Sequence, residues 1–218
     1  MKVKQFAVIG MGRFGASLAR TLSRMGYEVL AIDADENKVE EIADTVTHAV
    51  QANALEESVL KSLGVRNFDV VVVAIGQDIQ SNILVTVMLK EMGVEKVVAK
   101  ASTELQGKVL QKIGADIVVF PERDMGERVA RWLVSRNIID QINLSPDYSL
   151  VELAAPPQFV GATLQQSNMR KKYGISVLAI RRGKEFIISP EPGQEIREDD
   201  VLIIIGRNEK LKGLETEG

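Results

Sequence analysis

Three glycines and one carboxylate carry the strongest chemical signal in the chain. Gly10-Met11-Gly12-Arg13-Phe14-Gly15 has the spacing GxGxxG, and Asp33 follows Gly10 by 23 positions. The chemistry such a set performs is phosphate binding. The first glycine permits a tight turn, the second lets backbone approach a phosphate, and the third lets a helix pack on a strand. Phosphates then sit on the unpaired N–H groups of the helix start. Asp33 would accept hydrogen bonds from ribose hydroxyls. A 2′-phosphate beside Asp33 and Asp35 would be repelled, and no arginine follows Asp33, which argues against NADP. Arg13 adds charge for a further phosphate or for a neighbouring chain, unless it is a plain helix-surface arginine.

Groups for bond-making chemistry are scarce. There is no cysteine and one histidine, His48, which falls within a strand-like segment rather than at a strand's C-terminal end. Disulfide scaffolds, thiol catalysis, Cys or His metal centres and His-centred triads are thereby excluded or nearly so. Tyr148 and Tyr173 lack a lysine four residues on, unlike short-chain reductases. With no visible general acid or base for hydride transfer, binding itself reads as the output. The 27 basic and 30 acidic side chains give a net charge of −3, so bulk electrostatics predict no nucleic-acid partner. With 45% apolar and 26% charged residues, the chain is an ordinary globular mix. Its longest apolar runs, 70–75 and 201–205, are far short of a membrane span, and Met1-Lys2-Val3-Lys4 leads directly into a strand-like run, predicting no signal peptide.

The elements that must position the glycine loop are legible around it. Phe6 to Ile9 reads as a buried strand. Phe14, Leu18 and Leu22 recur at helical spacing up to Gly26. Strands are expected at 28–32, 48–51, 70–75, 96–99 and 117–120. Helices are expected at 38–43, 55–63, 83–92 and 105–113, three of them closed by Gly64, Gly93 and Gly114. Such alternation over 120 residues requires right-handed crossovers and a doubly wound parallel sheet, an α/β, Rossmann-like domain. After Pro121, the residues Met125, Val129, Trp132, Leu133 and Ile139 form an apolar stripe, predicting a helix over about 122–140. Ser145-Pro146-Asp147 then breaks the pattern. The remainder reads as short strands at 149–154, 175–181, 186–188 and 201–205 with one helical piece near Leu164, a small α+β module whose thin core calls for a partner surface.

Several of these runs match a known family. Lys4-Gln5-Phe6-Ala7-Val8-Ile9 leading into the glycine loop resembles the start of RCK, or KTN, regulatory domains, and most closely the cytosolic regulatory subunits of Ktr-type bacterial potassium transporters. Asn67-Phe68-Asp69, Val73-Ala74-Ile75-Gly76, Lys112-Ile113-Gly114-Ala115-Asp116, Pro121-Glu122-Arg123-Asp124-Met125 and Tyr173-Gly174 continue the likeness. The resemblance implies an RCK N-terminal domain over 1–140, including the crossover helix, and an RCK C-terminal domain over 141–218. It implies dimers assembled into an octameric ring in the cytoplasm, peripheral to the membrane, docked under a membrane-embedded potassium-transporter subunit. ATP would favour the active state and ADP the inactive one.

By the same likeness Gly10, Gly12 and Gly15 contact phosphate, Asp33 holds ribose, and Asn53 and Ala54 lie by the adenine. Phe14, Ile75 and Gly76 complete the nucleotide-binding set. Arg13 would reach a γ-phosphate in a neighbouring subunit's site, Lys100 would serve the phosphate side, and Glu122 would help hold Mg2+ or another cation. In the second module, Asn168, Arg170, Ile175 and Pro190 resemble the segment where relatives bind cyclic di-AMP. Plainer readings stand beside these: Glu122 as a carboxylate favoured at a helix start, Lys100 as a solvated edge charge, Asn53 as a turn residue, the stripe as core, and Arg170-Lys171-Lys172 as a basic turn. Two other functions also remain open: an NAD-dependent oxidoreductase, since NAD shares the adenosine diphosphate half, and a ligand-binding regulator with no transporter partner.

Overall fold

The computed structural model describes residues 4–134 and 138–211. The chain divides into two compact units, Met1–Asp124 and Met125–Gly218. The first unit holds strands β1 (Gln5–Ile9), β2 (Glu28–Asp33), β3 (His48–Gln51), β4 (Val70–Val73), β5 (Val97–Lys100) and β6 (Ile117–Val119). Between them run helices α1 (Arg13–Arg24), α2 (Glu36–Ala43), α3 (Glu57–Ser62), α4 (Ile79–Glu91) and α5 (Glu104–Lys112). All strand pairs are parallel, in the order β3-β2-β1-β4-β5-β6. The continuous apolar strands follow from burial on both faces: Ala7, Ile9, Val71 and Val73 pack into one core and Val8, Val72 and Ala74 into another.

The sheet order reverses at β1, which pairs with β2 on one side and β4 on the other. Open α/β sheets bind ligands in the crevice beyond the strand ends at this switch point. Ile9 pairs with both Ile32 and Val73, so the strands end in step. The glycine loop, Asp33 and the 74–76 segment therefore leave the sheet at one edge.

The second unit contains β7 (Ile138–Asn143), β8 (Tyr148–Ala154), α7 (Leu164–Ser167), α8 (Met169–Tyr173), β9 (Ser176–Arg182), β10 (Glu185–Ile188) and β11 (Asp200–Arg207). Its sheet is antiparallel in the order β10-β9-β11-β8-β7, with a core that includes Val151, Leu153, Ile180, Leu202 and Ile204.

One element departs from the sequence reading. The helix expected over 122–140 is α6, Pro121–Val134, and residues 138–143 are strand β7 paired with β8. Ile139 thus lies on a strand and not on the helical stripe, and a boundary between 140 and 141 falls inside β7. The pairing of β7 with β8 through the 145–147 turn outweighs local helical periodicity, and short apolar runs are ambiguous on that point. Met125, Val129 and Leu133 are 54%, 42% and 72% exposed, so they are not core within the chain. The side chain of Trp132 lies outside the described residues.

Candidate nucleotide-binding site

The glycine loop has the geometry that phosphate binding needs. Gly10 has φ +97°, and a Cβ on Gly15 would lie 1.9 Å from the Gly10 carbonyl oxygen. Both positions therefore require glycine. A Cβ on Gly12 would meet nothing within 4 Å, which leaves open space above the loop. Helix α1 follows Gly12 at its N-cap, with no side chain capping its N–H groups. By contrast α2, α4 and α5 are capped by Asp35, Asp78 and Thr103. The free donors and the helix dipole at α1 suit an anion.

Asp33, at the end of β2, accepts from the Met11 N–H at 2.5 Å and the Asp35 N–H at 2.9 Å. It ties the second strand to the loop and keeps lone pairs for ribose hydroxyls. Lys38 was not marked by the sequence reading. Its Nζ lies 3.8 Å from Asp33 and 3.5 Å from Asp35, so the ribose edge is less negative than two bare carboxylates. The helical spacing of Asp35 and Lys38 was the available signal.

These groups line one groove of about 1210 Å³ together with Phe14, Asn53, Ala54, Ile75, Gly76, Lys100, Ser102 and Glu122. Apart from Gly15, which packs against the Gly10 carbonyl, the nucleotide set named from the sequence, Glu122 included, is brought together there. Asn53 does act as a turn residue: its Oδ1 accepts from the Leu55 N–H and its Nδ2 donates to Glu56. Lys100 is no edge charge. It is buried, and its Nζ donates to Glu122 Oε1 at 2.5 Å. That hydrogen bond holds the Glu122 carboxyl below the usual carboxylate range, burial opposing it. A Cβ on Gly76 would meet Lys100 Nζ at 3.1 Å, so the lysine chain runs over the Gly76 backbone. Arg13, the first residue of α1, is exposed and has no hydrogen-bond or ion-pair partner among the described residues.

Among the described residues, no three histidine or acidic side chains converge on a metal position.

In the second unit, Asn168 is left-handed (φ 53°) at the junction of α7 and α8, and Arg170 is exposed on α8. Pro190 is half-buried. The Ile175 side chain is fully buried in the core of this unit. Gln166 closes a reciprocal capping box with Thr163.

The TrkA-N domain model matches residues 6–121 and the TrkA-C domain model residues 148–216. The chain belongs to the Ktr/Trk family of RCK-domain potassium-uptake proteins. It is 52% identical to the Ktr system potassium uptake protein C of Bacillus subtilis, over 93% of this chain and 92% of that protein. It is 47% identical to the Ktr system potassium uptake protein A of the same organism, over 100% of this chain and 98% of that one. Among solved structures, GsuK bound to ADP is similar at 25% identity and a TM-score of 0.52, over 60% of this chain and 34% of that chain. No helix among the described residues of this family member is long and apolar enough to cross a membrane.

Proposed function

We propose that this chain is a cytosolic, nucleotide-gated regulatory subunit that assembles into a ring and controls a membrane potassium transporter, with ATP and ADP competing for the groove of the first unit. The observation that carries the reading is the cationic end of the groove: Lys100 and Arg13 face the same space as the glycine loop. The loop and Asp33 serve what ATP, ADP and NAD share. Two cations beyond the pyrophosphate position favour a third phosphate over a nicotinamide ribose.

Gly10, Gly12 and Gly15 approach the phosphates with backbone, Asp33 takes the ribose, and Asn53 and Ala54 border the adenine. Phe14, Ile75 and Gly76 wall the groove. Lys100 serves the terminal phosphate, with Arg13 acting there or in a neighbouring copy. Once phosphate draws Lys100 away, Glu122 is released to a magnesium ion shared with the phosphates. Nothing in this scheme makes or breaks a covalent bond. The exposed apolar residues Met125, Val129 and Leu133 of α6 supply a surface for a second copy. Asn168, Arg170, Ile175 and Pro190 are the residues for a cyclic di-AMP site between two second units.

The test is potassium flux into vesicles that carry the membrane subunit with this chain added. ATP should raise the flux and ADP should lower it. Flux that ignores both nucleotides would overturn the reading.

A further inference from the structure

Behind the cationic end of the groove sits a buried side chain that the scheme above does not use. Asn82, in the first turn of α4, is fully buried. Both hydrogens of its Nδ2 are committed, one to the Ile75 carbonyl at 2.6 Å and one to the Lys100 carbonyl at 3.0 Å. These carbonyls lie past the end of the β4–β5 ladder, whose last pair is Val73 and Ala99. The planar carboxamide therefore replaces ladder bonds where the two strands have stopped pairing. Its turn of helix is held in place by the Thr86 hydroxyl, which donates to the Asn82 carbonyl at 2.8 Å.

The two carbonyls held by Asn82 flank the path of the lysine. Lys100 starts from one of them, and its chain crosses Gly76, the residue after the other. A small change in the separation of these two backbone points would move the ammonium relative to the phosphate position. Asn82 also carries a cost: its Oδ1 is buried with no hydrogen-bond donor among the described residues. A buried unsatisfied acceptor is destabilising. Asn82 shares its buried helix face with Val85, Thr86 and Leu89, and it reaches across to the backbone behind the groove with two hydrogen bonds.

We infer that Asn82 is a positioning residue for the terminal phosphate: by clamping the Ile75 and Lys100 carbonyls it aims Lys100 across Gly76 into the groove. This rests on the nucleotide reading given above and deepens it.

The test is calorimetric titration of the full chain with ATP and with ADP, for wild type, Asn82→Ala, Lys100→Ala and the double variant. If Asn82 acts through Lys100, Asn82→Ala lowers the ratio of ATP to ADP affinity by about three- to tenfold, the coupling typical of residues in one network. In the Lys100→Ala background the same change should leave the ratio within about twofold. Asn82→Asp keeps the shape of the side chain. Burial keeps its carboxyl protonated, so it still donates one bond and should lose an intermediate share of the ratio. It also serves if the alanine variant does not fold. Equal loss for both nucleotides, whether or not Lys100 is present, would overturn the positioning role and leave the function standing. A wild-type chain that binds neither nucleotide would overturn the function and this inference with it.

Discussion

The two ends of the groove are built from different materials. At the glycine loop the atoms offered to a ligand are backbone N–H groups, and their positions are fixed by what is missing: Gly10 and Gly15 have no Cβ because backbone occupies that space. At the other end the recognising atoms are side-chain termini, Lys100 Nζ, Glu122 Oε1 and the Arg13 guanidinium, held by an ion pair, a buried carboxamide or nothing. A backbone cradle cannot discriminate among nucleotides that share a diphosphate. A set of movable charges can, because each can change partner when a phosphate is added. On the proposed function the fixed end would supply affinity and the movable end the response, since a ligand shifts a two-state equilibrium only through its differential affinity.

The largest expected effect lies at the fixed end. Gly15→Val drives a side chain into the Gly10 carbonyl and should cost about 3 kcal/mol or more, with nucleotide binding lost; thermal melts and titration measure both. Gly12→Ala sharpens the point. Its Cβ meets nothing, so melting should change by about 1 kcal/mol or less while nucleotide affinity falls. Unchanged affinity in that variant would mean that no phosphate approaches Gly12.

Asp33→Ala comes next. It should weaken ATP and ADP alike by about 1–3 kcal/mol, the scale for bonds to a charged group. It should also lower the melting temperature of the free protein, because the Met11 and Asp35 N–H groups lose their acceptor. Arg13→Ala should do the reverse. With no partner among the described residues to lose, it leaves the melt unchanged and weakens ATP by about 1–2 kcal/mol more than ADP. Equal losses would place Arg13 with the fixed end.

The smallest effect belongs to Glu122→Gln. The Glu122 side chain is 70% exposed, so solvent screening limits its pair with Lys100 to about 1 kcal/mol or less. The folded-state carboxyl titrates below its ordinary value. The contribution is therefore full above that ordinary value and disappears as pH falls through the lowered one. Wild type and variant should differ in melting near neutrality and converge in acid. A difference that persists in acid would show that the pair is not its source.

The same division governs what the sequence made legible. Glycine and strand positions follow from steric and periodicity rules that act locally, so the loop, Asp33 and all six parallel strands were readable. The partner of Lys100 was not, since an ion pair 22 residues apart depends on where α6 starts relative to β5. Asn82 left no pattern at all: a single polar residue in the first turn of a helix looks like a surface position until the sheet covers it. Strand β7 escaped because its apolar residues continue a helical spacing, and only pairing with β8 decides between the two.

The central claim is that the movable end reads the third phosphate. Its most direct test is competition on the full chain: nucleotide bound in the groove is displaced by ATP, ADP and NADH in turn, in the presence of magnesium. The account predicts displacement by ATP and ADP with distinct affinities, an ATP preference that falls when Lys100 or Arg13 is replaced by alanine, and weaker competition from NADH. NADH binding more tightly than both, together with its oxidation by the isolated chain, would contradict it.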